Sequence, residues 1–209
     1  MQEQRSGAAN HVSDVYRVTR HLTAEMAEEG YRHGIFPMAD TDFGIVTWHR
    51  PRRRAVIPLE AFHVSRSLAR TLRRGGFQVT FDHDFPGVMA ACAERRPTWI
   101  SDEFMRVYGQ LHAQGRAHSV EVWMEERLAG GLYGVHLGGA FFAESKFHRV
   151  TDMSKVALVS LARRLGERGF ALLEVQYLTP HLAQFGAIEI PHKEYLRRLE
   201  AALQLRCEF

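Results

Sequence analysis

The sequence predicts a mixed α/β domain in which a largely antiparallel sheet is flanked by helices. Residues 117–147 form three apolar β-type runs separated by a charged turn and a Gly pair, which is typical of an antiparallel meander. Residues 151–169 then show a helical pattern, and the apolar run ALLEVQYL after them predicts a buried strand. Strands followed by a helix, a buried strand and further helices are typical of a layered α/β architecture.

The N-terminal part predicts a short helix and then a boundary. Thr23 is a favourable N-cap for AEMAEEGYRH, and Gly34 ends this helix before IFP turns the chain. A loop rich in Asp, Gly and Pro follows and ends in TWHRPRRRAVIP. We therefore expect a small N-terminal segment over residues 1–55 and a core domain over residues 56–209.

The next stretch, HVSRSLARTLRRGG, predicts a helix with Ser65 as N-cap and a glycine pair at its end. Leu68 and Leu72 share one face of this helix. The other face carries four arginines: Arg66, Arg70, Arg73 and Arg74. Only three of the 27 basic residues are lysines, which is compatible with a GC-rich genome, but genome composition does not explain the clustering.

The remaining elements follow from the same signals. FQVTF predicts a strand, DFPGVMAACAERR a helix, and SDEFMRVYGQLHAQG a second helix with Ser101 as N-cap. After the buried strand, PHLAQFGAIEI and PHKEYLRRLEAAL predict a short helix, a strand and an amphipathic helix. Ligands of such sheets favour the crevice where neighbouring strands diverge. Glu144, near one strand end, and Gln176, in the later strand, can face that crevice.

Several function classes lack their usual markers. There is no G-x-S-x-G, H-E-x-x-H, C-x-x-C or P-loop pattern, and the histidines occur singly, so we expect no metal site and no cofactor. RRLGERG lies at a helix end and does not have the spacing of a CoA pyrophosphate loop. The two cysteines predict no disulfide framework. No apolar run reaches the ~20 residues of a membrane span, and the first residues lack a secretory signal, so we expect a cytoplasmic protein.

A family resemblance covers most of the chain, from about Gly30 to Leu199. Its residues are GYRHGIFPM, FHVSRSLAR, TWI, HSVEVW, LAGGLYGV, FFAESKFHR, the SK of DMSK, and HLAQFGAIEIP. Taken together they resemble the bacterial leucyl/phenylalanyl-tRNA–protein transferases. The resemblance implies an N-acetyltransferase-like core with aminoacyl-tRNA as acyl donor. It also implies transfer of leucine or phenylalanine to the N-terminal α-amine of proteins that begin with Arg or Lys, which marks them for degradation. We expect a monomer without membrane contact.

The resemblance also implies catalytic residues. Aminolysis of an activated ester needs no enzyme nucleophile, because holding the amine beside the carbonyl supplies much of the rate. Gln176 cannot titrate, but its carbonyl oxygen can accept a hydrogen bond from the attacking amine. Glu174 is expected to orient that amide. Glu144 is expected at the mouth of the cleft, where it attracts a cationic N-terminus; alternatively, it is a strand-end carboxylate paired with Arg149 or Lys146.

Other positions match the family's binding sites. Six apolar residues are implied to line the pocket for the donor's amino acid, with plain core packing as the alternative: Leu132, Phe141, Leu158, Leu161, Leu165 and Leu173. Met38 stands where longer members have Trp, and Trp99 and Tyr108 match aromatic positions near the donor adenosine. The arginine helix is implied to bind tRNA phosphates, which gives affinity without sequence readout; a solvated basic face is the alternative.

Two departures from the family pattern leave other functions open. E-S-K-F replaces the common E-S-M-F and brings Lys146 close in sequence to Glu144, where it can pair with the carboxylate or repel a cationic acceptor. The family's D-x-Q is Glu174-Val175-Gln176 here, and Ala143 replaces a common Gly. The alternatives are a catalytically silent tRNA-binding protein and an N-acyltransferase with a different donor or acceptor.

Overall fold

The computed structural model describes residues 14–95 and 97–209. Within these residues the chain forms ten strands in two sheets, together with seven α-helices. The strands are β1 (Val15–Thr19), β2 (Phe36–Asp40), β3 (Ile45–His49), β4 (Arg53–Ile57), β5 (Gln78–Phe81), β6 (Ala117–Met124), β7 (Arg127–Leu137), β8 (Ala140–His148), β9 (Leu172–Glu174) and β10 (Ile188–Pro191). The helices are α1 (Ala24–Arg32), α2 (Arg66–Arg74), α3 (Phe85–Ala93), α4 (Asp102–Ala113), α5 (Met153–Glu167), α6 (Pro180–Ala183) and α7 (His192–Leu203).

The smaller sheet lies near the N-terminus, with strand order β1-β3-β2 and antiparallel pairing throughout. Helix α1 packs beside it, and the Thr23 hydroxyl accepts from the Met26 backbone N–H over 3.2 Å, which confirms the predicted N-cap. A Cβ on Gly30 would lie 2.5 Å from the buried Trp48 ring. Glycine at this position therefore lets α1 approach the sheet closely.

The larger sheet has seven strands in the order β10-β4-β9-β8-β7-β6-β5. Its neighbours are antiparallel except for β8 and β9, which run parallel. The mixed α/β class and the predicted meander of β6, β7 and β8 are confirmed. Because β4 begins at Arg53, the larger sheet starts within the expected N-terminal segment, of which residues 1–13 lie outside the described residues. The division at residue 55 stays a prediction.

Helices cover both faces of the larger sheet. Helices α3 and α4 pack on one face, where Tyr133 and Phe142 join the first core cluster. Helix α5 packs on the other face with the second cluster, which contains Leu132 and Phe141. In the ranges 14–95 and 97–209, every helix is too short or too polar to span a membrane.

Two predicted features of the later strands are wrong. Strand β9 has only three residues, so ALLEVQYL is not one long strand. It ends because Gln176 adopts a left-handed conformation with φ 56°, which cannot continue a strand. Glu144 is not near a strand end but in the middle of β8. Both differences concern the place where β8 and β9 separate.

Candidate active site

A β-bulge presents Glu144. In the pairing of β7 with β8, Tyr133 lies opposite Ser145 and Gly134 opposite Ala143, so Glu144 has no partner residue. Such an extra residue locally disrupts the ladder and re-aims the neighbouring side chains. Glu144 and Ser145 consequently both reach the α3 and α4 face, where Glu144 contacts Tyr108 of α4.

The same bulge separates Lys146 from Glu144. Lys146 lies opposite Leu132, whose side chain belongs to the core beneath α5, on the other face of the sheet. In the described part of the chain, Glu144 forms no ion pair with Lys146 or Arg149, so the pairing offered as an alternative is absent. Arg149 instead binds Glu94 at 2.6 Å. Burial, together with Arg95 and Lys155, lowers the pKa of Lys146 to about 8.

The parallel strands β8 and β9 diverge at this point. They pair only from Ala140 to Phe142 on β8, opposite Leu172 to Glu174. Just beyond the paired region, Gln176 Nε2 donates to Glu144 Oε1 over 3.2 Å. The structure therefore brings these two predicted side chains together across the crevice between diverging strands.

Two buried tyrosines complete the surroundings of Glu144. The hydroxyls of Tyr31 and Tyr108 are hydrogen-bonded to each other, and the Tyr108 hydroxyl lies 3.5 Å from Glu144 Oε2. Burial raises the pKa of Glu144 to about 8, although a hydrogen bond from Tyr31 lowers it in part. At neutral pH the carboxyl is therefore mostly protonated. This changes the expected role, because a neutral carboxyl attracts a cationic N-terminus only weakly.

A buried ion pair between β4 and β9 lies next to Gln176. Arg54 on β4 and Glu174 on β9 are 1% and 0% exposed, and Arg54 Nη2 lies 2.8 Å from Glu174 Oε1. Arg54 also donates to the Gly34 carbonyl over 2.8 Å and lies between the rings of Phe36 and Tyr195. Arginine suits this position because its planar fork can satisfy several acceptors at once.

Glu174 contacts the backbone of Gln176 and not its side-chain amide. Its Oε1 accepts the backbone N–H of Gln176 over 2.6 Å, whereas the side-chain amide binds Glu144. Glu174 acts on Gln176 through its backbone, because the left-handed turn at Gln176 points the backbone N–H towards Glu174; its expected role in orienting the amide stays a prediction. Glu174 thus holds the turn, and the turn directs the amide to the crevice. Glu174 Oε2 is buried and has no hydrogen-bond partner among the described residues.

The six residues expected to line the amino-acid pocket lie together in one core cluster. They come from β7, β8, β9 and α5, and each is at most 2% exposed: Leu132, Phe141, Leu158, Leu161, Leu165 and Leu173. None of them lines either of two cavities, of about 560 and 370 Å³, found in the described chain. Their role as a pocket stays a prediction.

The residues expected near the donor adenosine fall into two places. Met38 and Trp99 are partly buried and close together, since the backbone N–H of Ala39 donates to the Trp99 carbonyl over 3.3 Å. Tyr108 is fully buried beside Glu144. Met38 and Trp99 therefore lie on neighbouring backbone segments, whereas Tyr108 lies beside Glu144.

The arginine helix has the predicted form. The Ser65 hydroxyl accepts from the Leu68 backbone N–H over 3.3 Å, and Leu68 is buried. All four arginines are exposed, and none forms an ion pair within the described ranges: Arg66, Arg70, Arg73 and Arg74. The helix touches the start of α5 through Thr71, whose hydroxyl lies 3.4 Å from Asp152 Oδ2.

Sequence reasoning missed Arg54 and Tyr31 as site residues. Arg54 opens the apolar run RAVI, where a buried arginine requires a carboxylate partner. Tyr31 lies in GYRHGIFPM, but nothing in that stretch indicates its contact with Tyr108, 77 residues later.

Comparison with known proteins shows relatives over most of the chain. The family model "Leucyl/phenylalanyl-tRNA protein transferase" matches residues 56–200, and the model of that family's N-terminal domain matches residues 20–52. A Ruegeria pomeroyi protein named leucyl/phenylalanyl-tRNA–protein transferase is 54% identical over 192 residues, which are 90% of each chain. A Rubrobacter xylanophilus protein of the same name is 55% identical over 185 residues, 88% of this chain and 96% of its own.

Solved structures give weaker likenesses. A ribosomal-protein-alanine N-acetyltransferase from Brucella melitensis is 16% identical, with a TM-score of 0.39 over 53% of this chain and 86% of its own. An aminoglycoside acetyltransferase from a soil metagenome is also 16% identical, with a TM-score of 0.40 over 52% of this chain and 82% of its own. At these scores the likeness carries no argument about the site.

Proposed function

Because this chain belongs to the leucyl/phenylalanyl-tRNA–protein transferase family, we propose that it is an aminoacyltransferase that moves leucine or phenylalanine from aminoacyl-tRNA to proteins. The acceptor is the N-terminal α-amine of a protein that begins with Arg or Lys. The added residue marks that protein for degradation. The enzyme acts in the cytoplasm as a monomer.

The observation that carries this proposal is the hydrogen bond between Gln176 and Glu144 where β8 and β9 diverge. A crevice between diverging strands is a favoured ligand site in α/β sheets. The two groups offer an amide oxygen and a carboxyl group of raised pKa at one point. These are the groups that aminolysis of an ester uses, since one can orient an amine and the other can take its proton.

The reaction exchanges an ester C–O bond for an amide C–N bond and moves one proton. The amine lone pair attacks the ester carbonyl, the new C–N bond becomes an amide, and the ester C–O bond breaks. The ribose oxygen leaves with a proton, and the amine loses one. The tRNA ester is already activated, so no covalent enzyme intermediate is needed and positioning supplies much of the rate.

Glu144 acts as the proton acceptor in this scheme. Its pKa of about 8 is close to the ~7.7–8.0 of a free α-amine, so proton transfer between them is nearly balanced. The proton can then be passed to the leaving ribose oxygen. Tyr31 and Tyr108 hold the carboxyl in place through their linked hydroxyls.

Gln176 orients the attacking amine. Because its Nε2 donates to Glu144, its Oε1 is the end of the amide that can accept an amine hydrogen. Glu174 and Arg54 fix the turn that presents this amide. The donor's amino acid enters the apolar cluster under α5, Met38 and Trp99 contact its adenosine, and the arginine helix binds the tRNA phosphates.

Acceptor competition tests the proposal. Purified protein with charged Leu-tRNA is offered equal amounts of peptides that differ only in a first residue of Arg, Lys, Asp or Leu, and products are identified by mass spectrometry. We expect leucine on the peptides led by Arg and Lys. Transfer mainly to the Asp-led peptide would contradict the acceptor assignment. Binding of charged tRNA without transfer to any peptide would favour the silent tRNA-binding alternative.

A further inference from the structure

The side chain of Phe209 packs into the core under α5 from a segment that is neither helix nor strand. Residues 206–209 follow α7 and have no regular secondary structure. The Phe209 ring is partly buried and packs against the second core cluster. Its centroid lies 4.2 Å from that of the His118 ring and 5.4 Å from that of the Phe141 ring, and both pairs are stacked. The proposed reaction gives Phe209 no role.

The imidazole on which the Phe209 ring stacks is fixed by hydrogen bonds. His118 Nδ1 lies 2.7 Å from Asp82 Oδ2, and His118 Nε2 lies 2.9 Å from His136 Nδ1. Asp82 in turn accepts the Ser119 backbone N–H over 2.8 Å. A connected polar network of this kind holds its members rigidly. Phe209 therefore has one defined position on the sheet.

Phe209 supports Phe141 on the side that faces away from the catalytic crevice. A Cβ on Gly134 of β7 would lie 2.5 Å from Phe141 Cε1, so the fully buried Phe141 ring extends from β8 over β7. The strand order is β9-β8-β7-β6, and His118 lies on β6. The Phe141 ring thus points away from β9 and towards the place where Phe209 stacks on His118.

The donor's side chain needs space that the apolar cluster under α5 does not offer. The six predicted pocket residues are each at most 2% exposed, and neither of the two cavities includes them. Protein interiors are packed so densely that an added group displaces its neighbours. The six residues belong to strands or to α5, whereas Phe209 belongs to neither. Displacing the Phe209 ring breaks side-chain contacts but no strand pairing, and it gives Phe141 room to move.

We propose that Phe209 is a specificity-determining residue, which supports Phe141 from behind and sets how large a donor side chain the pocket accepts. The proposal rests on the function given above. Leucine enters with a small displacement of Phe141, whereas phenylalanine requires Phe141 to push Phe209 aside. One methylene in an apolar pocket changes discrimination by ~10–200-fold, so a change at this single wall residue shifts the preference measurably.

Two non-reactive donor analogues test this directly. Each is an adenosine that carries an amino acid through a 3′ amide, which is leucine in one analogue and phenylalanine in the other. Calorimetry gives both dissociation constants for the wild type and for Phe209→Ala, Phe209→Leu and Phe209→Trp. Phe62→Ala is the matched control. Phe62 is also partly buried against the second core cluster and lies outside the helices and strands, but its ring contacts Phe185.

We expect Phe209→Ala to raise the preference for the phenylalanine analogue over the leucine analogue by about tenfold. Phe209→Leu should raise it by less and keeps the test decisive if Phe209→Ala folds poorly. Phe209→Trp should lower the preference, and Phe62→Ala should leave it unchanged.

An unchanged or lower preference for phenylalanine in both Phe209→Ala and Phe209→Leu overturns the proposal. So does an equal rise in Phe62→Ala, or failure of the wild type to bind either analogue. Transfer from intact charged tRNA to an Arg-led peptide, assayed on the same preparations, shows separately whether the proposed function fails.

Discussion

Gln176 Nε2 donates to Glu144 Oε1 over 3.2 Å, and the two residues lie on parallel neighbouring segments that no longer pair with each other. Each is placed there by an irregularity, a bulge in β8 for Glu144 and a left-handed residue after β9 for Gln176. Such irregularities are often found at active sites, where they aim side chains. In the proposed mechanism, this contact is where the reacting groups meet.

Glu144→Gln should lower the rate of transfer by roughly 100-fold, because it removes the proton acceptor and keeps the shape. Burial raises the pKa of Glu144 to about 8, so both it and the amine must lose a proton on the way from pH 6 to pH 8. In this range, a plot of log(kcat/KM) against pH should have a slope approaching two for the wild type and a slope of one for the variant. Equal slopes in a pH–rate comparison would refute the proton-acceptor role.

The same substitution should stabilise the fold. The pKa of Glu144 is about 8 in the folded state against 4.5 for an ordinary carboxyl, so the folded state holds the proton more tightly. The wild type therefore loses stability as pH rises from about 4.5 to 8, and the variant does not lose this contribution. We expect Glu144→Gln to gain roughly 2–4 kcal/mol relative to the wild type between pH 5 and pH 8. Urea unfolding at pH 5 and pH 8 measures the free energy of unfolding of both proteins. If the difference between the two proteins were the same at both pH values, this would contradict the raised pKa.

Gln176→Gly should separate function from folding. Glycine adopts the left-handed φ of 56° at no steric cost, so the variant should be at least as stable as the wild type. Loss of the orienting amide should reduce kcat by roughly 100-fold. Thermal unfolding and single-turnover transfer are measured on the same sample. A stable variant with full activity would remove Gln176 from the mechanism.

Arg54→Met should destabilise the protein by roughly 3–5 kcal/mol, because it leaves the Glu174 carboxylate buried without its cation. Arg53→Met is the matched control. Arg53 pairs with Glu189 at 3.2 Å on the surface, and its loss should cost less than about 1 kcal/mol. Urea titration compares the two. Equal effects would mean that Glu174 is not held by the buried pair.

Arg70→Glu with Arg73→Glu should weaken binding of charged tRNA and flatten its dependence on salt, since fewer counterions are released. Both side chains are exposed, so folding should be unaffected. The control, Lys193→Glu with Arg206→Glu, makes the same change in net charge at exposed positions of the C-terminal region. Filter binding over a range of salt concentrations measures the tRNA affinity of the two double variants and its dependence on salt. The same loss in both variants would indicate a general charge effect and not a binding face.

The sequence predicted the helices well because their signals are local. Thr23, Ser65 and Ser101 each act as the predicted N-cap, with the side chain accepting a backbone N–H. The meander of β6 to β8 was likewise visible, since turn residues separate its apolar runs. The arginines of α2 were placed on an exposed face by helical periodicity alone.

The sequence singled out Glu144, Glu174 and Gln176, but it did not predict how the structure brings them together. The bulge at Glu144 depends on the register between β7 and β8, which alternation of side chains does not reveal. The pairing of Arg54 with Glu174 joins positions 120 residues apart, and no local sequence pattern predicts it. Lys146 was expected to interfere with Glu144 because the two are close in sequence. The bulge instead directs these side chains to different faces.

The most direct test incubates an Arg-led peptide with charged Leu-tRNA and either wild-type protein or Gln176→Gly, and follows the peptide by mass spectrometry. We expect the wild type to add one leucine to the peptide N-terminus. We expect the variant to bind the tRNA equally well but to add leucine roughly 100-fold more slowly. No leucine addition by the wild type, or equal rates for the two proteins, would contradict the proposed mechanism.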